Sequence, residues 1–326
     1  MSVQCLDYSL DENELDVLQN GELLSALAFD CHDADDVLTS TLFQIYYHEL
    51  RVRAKAKDVP QLHAAAAVSI KLMRDGFPSI EREAVRDTLR VLGHGEPWLD
   101  DAIDVGLTMW LKTKNASMDS DRSWKGTETL QDFTKRCYYR AEIDPMEPIV
   151  RFPREFRAVE LEKIAGVKVT WTWNLSEHLA FGDDDGKNRF VRIFNDKRWL
   201  SACLESPACT GVPRDVILET IKTLDILFPL GNSATSKFLQ SQGQSLHLVG
   251  PFPDERPRLR EFRYWRERLI DLIVEFEEPP RDWTRIWRDR RYPATFWTFW
   301  LGLLIFILTL LFGITASVLA GFALMS

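Results

Sequence analysis

The chain has 326 residues and a mass of 37.7 kDa, enough for one large or two small domains with a sizeable core. With 45% hydrophobic and 27% charged residues it has the balance of a globular protein, and a net charge of −9 argues against a nucleic-acid binder. The charge is unevenly spread, however: residues 292–326 contain no Asp, Glu, Lys, Arg or His, which excludes a wholly soluble protein.

Residues 1–50 contain eleven acidic residues, among them Asp11, Glu12, Glu14, Asp35 and Asp36, and no Lys or Arg. A secretory signal needs a basic start before an apolar run, and a mitochondrial presequence is Arg-rich and poor in acids, so neither is expected. Apolar residues at helical spacing predict helices over 22–28 and 37–56, with Leu38, Leu42 and Ile45 on one stripe. The Ala-rich run 61–75 predicts a third helix, stopped by Gly76 and Pro78. Ser79 is placed to cap the next helix, whose Ile80, Val85, Leu89 and Leu92 share one face before Gly93-His94-Gly95 ends it. Pro97 suits the first turn of a helix reaching Lys112. Residues 113–126, rich in Asn, Ser and Asp, read as a loop.

Character changes after Pro153. Residues 167–173 (Val-Lys-Val-Thr-Trp-Thr-Trp) alternate apolar and polar and predict a half-buried strand, and 189–194 (Arg-Phe-Val-Arg-Ile-Phe) predict a second. Between them Asn174 can cap a short helix reaching Leu179, and Gly182-Asp183-Asp184-Asp185-Gly186 reads as a turn. A helix follows from Pro213 to Phe228, stopped by Pro229. In residues 257–278, Leu259, Phe262, Trp265, Leu269, Leu272 and Phe276 fall at three- and four-residue steps. This seam has two readings: a helix packed on its own domain, or a stalk that pairs with a second copy.

Residues 296–324 read as one transmembrane helix, since about 20 apolar residues at 1.5 Å rise cross roughly 30 Å of hydrocarbon. Arg281, Arg285, Arg288, Arg290 and Arg291 precede it against only Asp282 and Asp289, which places the amino-terminal side in the cytoplasm. Trp283, Trp287, Tyr292, Trp297 and Trp300 supply an aromatic belt at that interface. The expected topology is therefore tail-anchored and single-pass, and an uncharged far side favours the endoplasmic reticulum or another endomembrane. Thr309, Gly313, Ser317 and Gly321 recur every four residues, a pattern that lets two such helices approach closely as a homodimer.

Candidate chemistry is sparse. Cys5, Cys31, Cys137, Cys203 and Cys209 are odd in number and scattered, which suits reduced cytosolic thiols, and the Cys203/Cys209 pair has no companion ligands at zinc spacing. Gly182–Gly186 followed by Lys187-Asn188 has too few residues between its glycines for a phosphate loop and lacks the Ser or Thr after Lys. As a calcium loop starting at Asp183 it would place Phe194 where the bidentate Glu belongs. Cys31-His32-Asp33 are neighbours whose side chains diverge, which is not a catalytic pair. His178, beside Glu177 and close to Asp183, Asp184 and Asp185, is the histidine best placed for an enzyme site. No cofactor or metal is expected. Asn115-Ala-Ser117 and Asn174-Leu-Ser176 match the glycosylation acceptor pattern and would report topology.

Two blocks of sequence carry a resemblance. Trp171-Thr-Trp-Asn174-Leu175-Ser-Glu-His178-Leu179, Asp183-Asp184-Asp185 and Val191-Arg-Ile193-Phe194 form the first. Tyr264-Trp265-Arg266-Glu-Arg268-Leu269, Trp287-Arg-Asp289-Arg290-Arg291, Thr298-Phe299-Trp300 and Leu308-Thr309-Leu310-Leu311-Phe312-Gly313 form the second. Together they resemble an uncharacterised family of filamentous-fungal membrane proteins with a carboxyl-terminal transmembrane helix. The resemblance covers roughly residues 155–315, implies a helical cytoplasmic region, and carries over no catalytic residue.

The expected fold is mainly α: a helical cytoplasmic domain with a small β element, a juxtamembrane helix and one carboxyl-terminal transmembrane helix. Its parts are an acidic helical region (1–117), a linker (118–153), an α+β region (154–255), an amphipathic stalk with a basic and aromatic junction (256–291), and the anchor (292–326). The expected function is a membrane-anchored, cytoplasmic protein-binding adaptor or scaffold. The alternative is a membrane-attached enzyme with its site near His178 and Asp183–Asp185.

Overall fold

The computed structural model describes residues 46, 49–50, 52–53, 59–113, 123–143, 152–153, 155–184, 188–205, 210–246, 257–278 and 293–325. The readings that rest on residues 22–28, on most of 37–56, on Cys31-His32-Asp33 and on the Arg-Trp junction lie outside them.

The amino-terminal half is built on two apolar helices, α1 (Val59–Gly76) and α3 (Leu99–Leu111), joined through α2 (Arg82–Val91) and a 3-10 turn at Glu96–Trp98 that contains Pro97. Small residues let α1 and α3 approach: Ala65, Ala66 and Ala102 are fully buried, and a Cβ on Gly106 would lie 2.4 Å from Ser69 Oγ. Ser69 Oγ satisfies its hydroxyl on the Ala66 carbonyl of its own helix and on the Ala102 carbonyl of the other. Asp100 and Asp101 in the first turn of α3 meet the positive end of its dipole. Asp104, buried one turn later, accepts from Arg53 at 3.3 Å and from Arg82 at 2.9 Å, tying α2 and the helical residues near Leu50 to α3.

Ser79 does not cap α2. The N-cap position is Glu81, whose side chain makes no cap bond, because Glu81 is instead held in a backbone bridge to Thr129. Thr129 is itself the cap of α4 (Leu130–Cys137), its Oγ1 accepting from Asp132 N at 3.2 Å.

Three strands form the β element in the order β1-β3-β2: β1 (Lys168–Thr172), β2 (Phe181–Asp184) and β3 (Asn188–Phe194). β1 runs parallel to β3 with Val169 opposite Val191, and β2 pairs antiparallel with Phe181 opposite Val191. Gly182, Asp183 and Asp184 are thus strand rather than turn. Gly182 faces Phe190, whose ring atoms lie 2.4 Å from where its Cβ would be, so a larger residue has no room there. Between β1 and β2, Asn174 Oδ1 accepts from Ser176 N and caps a 3-10 turn at Leu175–Glu177.

The carboxyl-terminal part of the domain adds α5 (Lys197–Glu205), α6 (Arg214–Leu227) and α7 (Ser233–Ser241), then a 3-10 turn at Leu259–Glu261 and α8 (Arg266–Glu277). The stalk reading is corrected here: the seam is interior. Leu259, Phe262, Trp265, Leu269, Leu272 and Phe276 are all buried in the same hydrophobic cluster as α1, α3 and β3. Nor is the segment one helix, because the chain turns at Leu259–Glu261 and becomes α-helical only from Arg266. The three- and four-residue spacing reports one buried face, and burial against the sheet and α6 accounts for it without a second copy.

The last helix, α9, runs unbroken from Pro293 to Met325, straight through Gly313. Within it Trp297–Ala316 has a mean hydropathy of 2.4 and no buried residue, so among the described residues one helix is long and apolar enough to cross a membrane.

Candidate functional site

His178 lies in the turn between the 3-10 segment and β2, and the fold surrounds it completely. Its ring is fully buried, edge-on to Trp265 at 5.2 Å. Phe194 N donates to Nδ1 at 3.2 Å, so Nε2 carries the proton and donates to Thr223 Oγ1 at 2.6 Å. Thr223 passes its own hydroxyl hydrogen to the Thr220 carbonyl. Burial, with a smaller contribution from the Arg268 guanidinium, pushes the imidazole down to about 3. A neutral ring with both nitrogens engaged and no exposed edge has no proton to exchange with a substrate. It joins β3, α6 and the turn.

The neighbouring carboxylates do not converge on it. Asp183 is exposed on β2, opposite Arg189 in the ladder, Asp184 ends that strand, and Asp185 lies outside the described residues. Among the described residues no group of three or more His, Cys, Asp or Glu is arranged to hold a metal ion. Asn174 is 5% exposed and spends its side chain on the cap, which removes it as a glycosylation acceptor in the folded domain. Asn115 lies outside the described residues. Cys203 is a buried thiol on α5, whereas Cys209 is outside the described part.

Three charged groups shape this region, Arg268 half-buried and Glu219 and Lys112 buried. Arg268, on α8, donates to the Ser176 and His178 carbonyls at 2.8 and 2.5 Å and lies over the Trp265 ring. Glu219, on α6, accepts from the backbone N–H groups of Arg263, Tyr264 and Trp265, which lead into α8; burial raises its carboxyl above the ordinary value despite these bonds. Lys112, in the left-handed conformation (φ 49°) at the end of α3, is fully buried. Its Nζ has no hydrogen-bond partner and lies 5.4 Å from the Trp199 ring centroid. Burial lowers its pKa, opposed by the Asp196 carboxylate and the Cys203 thiol.

A groove of about 530 Å³ lies elsewhere, lined by Gln61, Ala64 and Ala65 of α1 and by Gly93, His94, Gly95 and Trp98. Val91 and Leu92, just before it in sequence, are 85% and 57% exposed. In the apolar helix, Thr309 bonds back to the Ile305 carbonyl and a Cβ on Gly313 would meet nothing within 4 Å. Ser317 and Gly321 continue the same helix, and their side chains are not described.

The chain matches no protein-family model, no curated protein and no solved structure.

Proposed function

We propose that this protein is a single-pass membrane protein whose helical domain works at the cytoplasmic face as a protein-binding adaptor or scaffold. The observation that carries the reading is α9, in which none of the 20 residues of the apolar stretch Trp297–Ala316 is buried in the rest of the molecule. In water such a surface would be strongly unfavourable, at about 25 cal/mol for each Å² of apolar area, and lipid removes that penalty. The five arginines before the helix support the cytoplasmic side, and the resemblance to fungal membrane proteins agrees with a single anchor. Exposed Val91 and Leu92 beside the groove supply apolar contact for a protein partner, and the acidic surface suits a basic one. An enzymatic role centred on His178 and Asp183–Asp185 would need the imidazole to reach a substrate, and its burial counts against that.

Sealed microsomes carrying the full-length protein test this reading. Added protease is expected to digest the domain and leave a fragment of about the size of α9. A protected domain whose mass drops with endoglycosidase would reverse the orientation, and Asn115 is the acceptor to watch because Asn174 is buried. Full extraction by carbonate would remove the membrane from the account altogether.

A further inference from the structure

Two surface segments meet at the entry to α8. Residues 139–141, which follow α4, are tied to the chain before α8 by the Ala141 N–H, which donates to the Arg263 carbonyl at 2.8 Å. The backbone beneath them is fixed: Leu259, Phe262 and Trp265 are buried, the Tyr138 ring stands edge-on to Trp265 at 6.3 Å, and Glu219 holds the N–H groups of residues 263–265. On this support Arg140, Arg258, Arg260 and Arg263 are exposed, beside Tyr139 (64% exposed) and half-buried Tyr264. Burial raises the Tyr264 hydroxyl above its ordinary value; Arg140 and Arg263 oppose that rise and Asp215 and Glu219 add to it, so both guanidiniums lie within electrostatic reach of one ring.

These arginines differ from those elsewhere in the domain. Arg53, Arg82, Arg86, Arg90, Arg136 and Arg189 are each in an ion pair with a carboxylate. None of Arg140, Arg258, Arg260 and Arg263 is in one among the described residues. Of the acids close by, Glu219 is occupied by backbone, Glu261 lies 3.5 Å from Lys222, and Glu142 and Asp215 are exposed without pairing to the four. In a chain with a net charge of −9, the patch is a local reversal of sign.

We propose that this patch is the docking surface for an acidic peptide segment of a partner protein, an inference that rests on the protein-binding reading of the domain. A guanidinium takes a carboxylate through two parallel bonds, and the exposed Tyr139 ring adds a stiff apolar contact between the charges. Because the four arginines have no internal ion pair to break, their attraction is available to a partner, and the fixed backbone keeps the ordering cost of binding low. Placement favours a protein over a lipid surface. The patch precedes the first turn of α8, whereas the chain continues toward α9 from the other end of that helix, about 18 Å away.

The test uses full-length protein in micelles of an uncharged detergent and a dye-labelled oligoglutamate peptide, with binding read by fluorescence anisotropy. Binding is expected at low salt, should weaken as salt screens it, and should be absent with an oligolysine peptide. Arg140→Gln, Arg258→Gln, Arg260→Gln and Arg263→Gln together should weaken it about 30-fold, the product of four exposed charge pairs of ordinary strength. The melting temperature should not change, because all four side chains are at the surface. Arg281→Gln, Arg285→Gln, Arg288→Gln, Arg290→Gln and Arg291→Gln together should leave the binding in place. No binding by the unmodified protein, or binding indifferent to the first set of changes, overturns the surface. Binding that appears only with Asp11→Asn, Glu12→Gln, Glu14→Gln, Asp35→Asn and Asp36→Asn gives the patch to the chain's own acidic segment, and overturns the partner. Phosphatidylserine mixed into the micelles that displaces the peptide as effectively as unlabelled oligoglutamate gives it to headgroups, and overturns the partner too. None of these outcomes touches the microsome result, so this surface fails separately from the membrane and adaptor reading.

Discussion

At the scale of single residues, burial pushes two ionisable groups below their ordinary values, so both favour higher pH. His178 is held neutral, with its value near 3 well below the usual 6.5, so the folded state binds fewer protons than the unfolded chain as pH falls. Its contribution is complete above about pH 6.5 and is lost on acidification toward 3, by up to about 1.4 kcal/mol per pH unit. Thermal unfolding followed between pH 7 and pH 4 should show that loss (pH values of about these magnitudes follow from the same ionisation). His178→Leu should lower stability by about 2–4 kcal/mol at neutral pH, because it leaves Phe194 N–H and Thr223 without their partner, and should flatten the acid limb. Lys112 is also pushed below its usual value, so for it too stability rises with pH, here up to the ordinary lysine range near 10.4. Lys112→Met should therefore stabilise the domain by about 1–3 kcal/mol at neutral pH and weaken the rise on the alkaline side. An unchanged or lower melting temperature would mean that the attraction of Asp196 outweighs burial.

At the scale of elements, the organising piece is α8. Its N-cap makes no side-chain bond, and Glu219 from α6 takes the three backbone N–H groups that lead into it, those of Arg263, Tyr264 and Trp265. Glu219→Ala would leave buried donors unpaired and should cost about 2–4 kcal/mol, measurable by denaturant unfolding. The contact between α1 and α3 depends on Gly106 in the same way that β2 depends on Gly182. Gly106→Val should destabilise by about 1–3 kcal/mol by forcing Ser69 and Met73 aside. The helix over 61–75, the helix ending at Phe228 and strands β1 and β3 were legible because their residues carry period and punctuation within a short window. β2 was not: Phe-Gly-Asp-Asp has poor strand propensity, and only pairing with β3 makes it one. α4, α5 and α7 are short and polar enough that their helicity likewise follows from what they pack on.

At the scale of the whole molecule, one hydrophobic cluster runs from Tyr46 to Phe276. The seam residues therefore belong to folding rather than to assembly. Leu269→Asp should abolish cooperative unfolding of the domain, where a dimer seam would yield a folded monomer instead; circular dichroism and sedimentation separate the two. A fragment ending after α8 should remain folded, and one ending before Leu259 should not, since the latter removes seven core side chains.

The apolar carboxyl-terminal run, the net acidity and the basic junction are properties of composition and order along the chain, so sequence alone determined them, together with the mainly helical class. What surrounds His178, which way the seam faces, whether Asn174 is accessible and where Lys112 and Glu219 lie were decided only by the tertiary structure. A periodic pattern states that a face is buried without naming what buries it, and ionisable groups change character when distant segments remove water from them. The same histidine that reads in sequence as a candidate for catalysis becomes, once β3, α6 and Trp265 close around it, a joint in the core.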